Sequence, residues 1–237
     1  MSRIKLISLA MFAVMAVAAM AASSASAAIK YEWSVNGTAL AVNKTVLVTV
    51  LVDPTAPTVT FKAKLSGATS ELKSSTFKSD NESWIAGGKP GTGAGAGNVG
   101  KTLFEKITVV KPANCTVANV VVESTAEIVE SETGEKALIL FKPNSTTGVF
   151  AEITYAGGSC TLNGVTVKVA GSVAAEPTAV GTGVQLLWKF LPNGTKTRNS
   201  KSEVKENNLI VFGTEEKAEL AGSVLAELST LQVWTAL

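Results

Sequence analysis

From residue 31 onward the apolar positions of this chain tend to fall on every second residue, with polar ones between them. Tyr31, Trp33 and Val35 alternate with Glu32 and Ser34, and Val59, Phe61, Ala63 and Leu65 alternate with Thr60, Lys62 and Lys64. A period of two is that of a β-strand with one wet face. The same signal, rich in Val, Thr and Ile and bounded by Pro, Gly or Asn, predicts strands over Thr45–Val52, 103–110, 117–122, 137–141, 149–155, 184–190 and 209–212. The apolar run 46–52, broken only by Thr49, predicts a strand in the interior of a sheet. Residues 214–230 carry two patterns. Ala218, Ala221, Leu225 and Leu228 suit a helix capped by Thr214, whereas Gly222 interrupts it and Val224, Ala226 and Leu228 alternate. Strands are the expected outcome there.

Two Asn-Gly pairs mark hairpins, because a type I′ turn needs positive φ at both central residues. Asn36-Gly37 sets Trp33 opposite Leu40 and Tyr31 opposite Val42. Asn163-Gly164 sets Leu162 opposite Val165 and Cys160 opposite Val167, which turns Cys160 inward. The fold expected is all-β and antiparallel, hairpin-rich, built as one extended β-sandwich or two packed β-subdomains. The Gly-rich stretch 87–100, with seven glycines and Pro90, is the place for a mobile loop or for a break between subdomains. Pro54, Pro57 and Glu176-Pro177 read as shorter breaks.

The first 27 residues do not follow this pattern. Arg3 and Lys5 precede an uncharged apolar run, and Ala25-Ser26-Ala27 is a small-x-small cleavage site. A signal peptide over 1–27 is expected, with Ala28 the mature N-terminus and 28–237 the folded β-rich part. The destination is secreted, extracellular or at the cell surface. No second apolar segment follows, so no stable membrane span is expected in the mature form. Export also gives the two cysteines, Cys115 and Cys160, a meaning. An isolated pair in an oxidising compartment is most simply a disulfide.

Charge matters once the leader is removed. The whole chain has 21 basic and 19 acidic residues, and cleavage would take away Arg3 and Lys5. The mature protein would be near neutral, with no field to draw it to nucleic acid. Charge is nonetheless uneven. Residues 58–111 hold eight lysines and four acids, and residues 112–135 hold five glutamates and no base.

The chain has no histidine, which removes Ser-His-Asp triads, Cys-His dyads and His-based metal sites. With the cysteines paired no thiol nucleophile remains. Asp53 and Asp80 are the only aspartates, so no calcium cage is signalled and no cofactor is expected. Gly95 to Thr102 satisfies the Walker A pattern with Lys101 and Thr102 in the phosphate and Mg²⁺ positions, and Asp53 ends an apolar run. The context is wrong for both, since the loop leads into the β-branched stretch 103–110 instead of a helix. No nucleotide is expected. Glu127, Glu130, Glu132 and Glu135 are candidates by density for a two-carboxylate hydrolase. Trp84, with Lys89 beside the Gly-rich stretch, is the candidate exposed aromatic for ligand contact. Asn-x-Ser/Thr begins at Asn36, Asn43, Asn81, Asn114, Asn144 and Asn193, a modification that depends on the host.

Trp33-Ser-Val-Asn-Gly37, Gly-Gly-Lys-Pro-Gly91, Cys115-Thr-Val117 and Gly158-Ser-Cys160-Thr-Leu162 resemble a group of secreted, β-rich bacterial proteins. The resemblance implies export and an all-β fold. It implies no activity and carries over no functional residue. The function expected is that of an exported, non-catalytic β-protein acting at the cell surface or in the matrix by binding or assembly. A cell-wall glycan or a surface protein would be its partner. The alternative is an exported, glutamate-dependent hydrolase.

Overall fold

The computed structural model describes residues 31–65, 67–79, 83–88, 97–214 and 216–237, with 97–99 as backbone. The expected leader, the Ala28 terminus, Lys89 and residues 91–96 lie outside the described residues. Among those described the chain is all-β with no helix. In chain order the strands are β1 (Trp33–Val35), β2 (Thr38–Ala39), β3 (Thr45–Val52), β4 (Val59–Leu65), β5 (Ala68–Ser74), β6 (Thr76–Ser79) and β7 (Trp84–Ala86). There follow β8 (Gly97–Glu105), β9 (Thr108–Lys111), β10 (Thr116–Val117), β11 (Val120–Ser131), β12 (Ala137–Pro143), β13 (Val149–Ala156), β14 (Thr166–Gly171) and β15 (Val173–Val180). The last are β16 (Gln185–Phe190), β17 (Thr195–Arg198), β18 (Val204–Asn207), β19 (Leu209–Val211), β20 (Lys217–Ala221), β21 (Ser223–Leu228) and β22 (Trp234–Ala236).

They form three antiparallel sheets. One is small, β2-β1-β22; a second runs β10-β13-β14-β19-β20-β4-β5-β9; the third runs β18-β17-β11-β12-β15-β16-β21-β3-β7, with β6 and β8 added. β8 pairs with β11 on one side and β6 on the other, and the Val50 amide of β3 donates to the Ser79 hydroxyl of β6 at 3.0 Å. Such pairings bend a sheet back on itself. The two large sheets are therefore curled, one into a nearly closed barrel and one into a half-barrel, where a flatter sandwich was expected. β7 and β8, which flank the Gly-rich stretch, belong to the same sheet.

The chain changes sheet at sharp corners, and these are where the sequence-based boundaries move. The expected strand 103–110 breaks at Lys106, whose φ is 49°, so β8 stays in one sheet and β9 joins the other. The stretch 117–122 likewise divides between β10 and β11. Residues 217–228 form the expected strands, β20 and β21, with Gly222 at the corner between them. Another corner, between β14 and β15, is made by Gly171 at φ 99°, where an added Cβ would lie 2.0 Å from the Asn208 carbonyl oxygen. Only glycine fits such a backbone. Gly171→Ala is expected to cost at least about 2 kcal/mol, read as a lowered urea midpoint. An unchanged midpoint would contradict the corner's role.

The first hairpin forms as expected, with Asn36 and Gly37 at φ 50° and 75°. The Leu40 amide donates to the Trp33 carbonyl at 2.7 Å. The ladder stops at Ala39, however, and Val42 bridges Gly87 instead of facing Tyr31. The second hairpin is longer than its turn signal implies. Ile153, not Cys160, opposes Val167, and Asn163-Gly164 turns inside the connection between β13 and β14. Eight residues of β13 outbid the short local pattern at 160–162. Cys160 is nonetheless buried and bonded to Cys115. Glu176-Pro177 lies within β15, paired with Lys189 and Trp188. Pairing to β12 ends at Ala175, so the proline sits beyond that ladder, where its missing N–H is tolerated.

One hydrophobic cluster draws on both large sheets and on Trp33 and Trp234 of the small one. Asp53, the acid ending the 46–52 run, is 3% exposed and ties β3 to β21. It accepts from the Ser223 hydroxyl at 2.6 Å, the Thr55 hydroxyl at 2.7 Å and the Thr55 amide at 2.9 Å. The Ser223 bond, then those from Thr55, hold its carboxyl below the usual value against the opposing effect of burial. A depressed carboxyl contributes stability above its unfolded pKa, near 4, and that contribution is lost as pH falls through the folded value. Asp53→Asn should start from a lower melting temperature and lose less of it between about pH 4 and pH 2.5. A variant that loses as much as the wild type would contradict this.

Candidate functional site

The residues singled out by sequence do not converge. Trp84 is half-buried on β7, paired with Leu47 of β3. Ile85, its neighbour, faces the core, so Trp84 and Leu47 share the outer face near the sheet edge. Lys89, its companion, lies outside the described residues.

The acidic stretch is ion-paired, with Glu127 and Glu130 on opposite faces of β11. Glu127 pairs with Lys142 across β11 and β12, Glu130 lies 3.7 Å from Arg198, and Glu132 lies 3.1 Å from Lys196. Glu135 receives the Thr133 hydroxyl at 3.4 Å. The basic partners that the local sequence lacked come from β12 and β17. Among the described residues no group of acids, cysteines or histidines is placed to hold a metal ion.

Gly100, Lys101 and Thr102 lie in the extended strand β8, and Gly95 lies outside the described residues. The Lys101 ammonium is 3.1 Å from Glu123 on β11, and Thr102 is buried opposite Val122. A phosphate cradle needs a loop of convergent amides ahead of a helix. This backbone spends its amides on a ladder.

What the fold does assemble is a cavity of about 150 Å³ between the two large sheets. Val59, Phe61, Leu72, Ile153 and Leu220 face it from one sheet, and Val50, Phe104, Phe141, Trp188 and Val224 from the other. The strand period puts these side chains inward; the sheet switches at Lys106, Gly171 and Gly222 bring the two walls face to face. Phe61, Phe104, Phe190 and Leu220 are only half-buried, because they border the cavity. Polar groups are few on this wall. The Ser74 hydroxyl is spent on the carbonyls of Thr76 and Glu105 at 3.0 and 2.9 Å. Lys73 belongs to the lining, but on β5 its neighbours Leu72 and Ser74 are the buried ones. Its ammonium therefore lies on the opposite face, 3.8 Å from Glu71.

Trp188 is central to the wall. Its ring is tilted 54° to Phe141 at 5.6 Å and lies edge-on to Trp234 at 6.1 Å, while Phe141 meets Phe190 at 6.4 Å. Its buried indole N–H has no hydrogen-bond partner among the described residues. The alternation over 184–190 fits a core position for Trp188 but does not reveal the cavity. Alternation reveals that Phe61, Phe141 and Phe190 face inward; that they face the same void depends on which sheets meet. No protein-family model, curated protein or solved structure matches the chain.

Proposed function

We propose that the protein is an exported, non-catalytic binding protein that acts at the cell surface or in the matrix and holds a small apolar molecule inside its β-core. The observation that carries this reading is the apolar cavity of about 150 Å³. Protein interiors are close-packed, with few voids larger than a water. This one is partly open to solvent, and nearly all of the wall it leaves uncovered is apolar. Export is supported by the leader-like residues 1–27 and by the Cys115–Cys160 bond. The absence of histidine and the ion pairing of the candidate glutamates favour binding over hydrolysis.

Methyl NMR tests the reading. Saturable shifts of the Val50, Val122 and Val224 methyls on adding benzene, with none on adding N-acetylglucosamine, are the expected result. Lining methyls that stay still with benzene would sink it. Val122→Phe supplies a control by filling the void. It should raise stability by about 0.5–2 kcal/mol and abolish the benzene shifts. A variant that still binds benzene would place the ligand elsewhere.

A further inference from the structure

We propose that the cavity selects a neutral aromatic ring of about benzene size over an aliphatic one, an inference that rests on the cavity being a ligand site. Five of the chain's eight phenylalanines line it, Phe61, Phe104, Phe141, Phe150 and Phe190, and Trp188 joins them. The rings already set a pattern. Phe141 is tilted 54° to Trp188 and 65° to Phe190, so ring edges meet ring faces. Tilted and edge-to-face pairs match the positive rim of one ring to the negative face of the next and gain more than their buried area alone provides. An aromatic guest extends this arrangement; a saturated ring offers only area.

Charge and size narrow the class. The described lining contains no carboxylate, and the Lys73 ammonium lies on the other face of its strand. A buried ion would have no partner there, so a cation is disfavoured despite the aromatic wall. The volume of about 150 Å³ is that of engineered cavities that admit benzene.

The test is a matched pair of probes, benzene and cyclohexane, titrated into the purified protein and followed by the lining methyl resonances. Cyclohexane is the more water-averse of the two, so a wall that reads apolar area alone would bind it more tightly. The expected result is the reverse, with benzene at least about fivefold tighter, the scale of one or two aromatic pairs. Phe190→Leu and Phe104→Leu should each weaken benzene about threefold or more and leave cyclohexane within about twofold. Equal or tighter binding of cyclohexane to the wild type overturns ring selectivity and leaves the ligand site standing. So does a benzene preference that survives in both variants. If neither hydrocarbon binds, the ligand reading fails and takes this proposal with it. The wild-type comparison decides the matter even where a variant does not fold.

Discussion

Trp234→Ala is expected to cost about 3–5 kcal/mol, a large share of the total stability of an ordinary domain. The side chain is 1% exposed, packs 5.5 Å from Trp33 and 6.1 Å from Trp188, and donates its indole N–H to the Val184 carbonyl at 3.0 Å. It also lies on β22, the last strand, which pairs with β1, the first described strand, through Val35↔Trp234 and Trp33↔Ala236. Removing the ring opens a void beside the cavity wall, takes a donor from the part-buried Val184 carbonyl and loosens the pairing of β1 with β22. Thermal unfolding should drop by roughly 6–20 °C for a chain of this size. Trp234→Phe should recover part of the loss, since it restores packing without the hydrogen bond. A drop within about 2 °C for the alanine variant would show that the small sheet contributes little.

The second large effect concerns the Cys115–Cys160 bond, which spans 45 residues. In the chain-entropy model, opening a loop of that length destabilises by about 4 kcal/mol. The bond ties the segment entering β10 to the connection between β13 and β14, so it pins one edge of the eight-stranded sheet. Replacing both cysteines with alanine should lower the guanidinium midpoint and steepen its slope, because the opened denatured chain is less compact. A midpoint equal to the wild type's would show that the unfolded chain is not constrained by the bond. A free-thiol assay on denatured, unreduced protein gives the covalent check, and two reactive thiols per chain would contradict the bond itself.

Local chemistry was legible in the sequence wherever a short-range rule acts alone. The apolar run 46–52 and the period of two located β3 and β4 to the residue, and Asn36-Gly37 produced the turn it implies. The 115–160 disulfide followed from the expected compartment and the count of two cysteines. What was not legible is long-range. At Asn163-Gly164 the turn signal was real, but the register belonged to β13, whose longer pairing decides the energy. Pro177 looked like a break because the sequence does not say on which side of β15 a neighbour is missing. The acidic run 123–135 looked unpartnered because Lys142, Lys196 and Arg198 reach it from other strands. The cavity is the extreme case. Its walls come from positions as far apart as Val50 and Val224, and no window of sequence contains it.

The central claim is that this space is built to be filled by an apolar molecule. A crystal of the protein pressurised with xenon tests it most directly, because xenon carries no charge and no hydrogen-bonding group and reports apolar room alone. The expected result is one strong xenon peak in van der Waals contact with Phe141, Trp188 and Val224. A cavity that stays without xenon, or that holds a chain of ordered waters in its place, would contradict the claim.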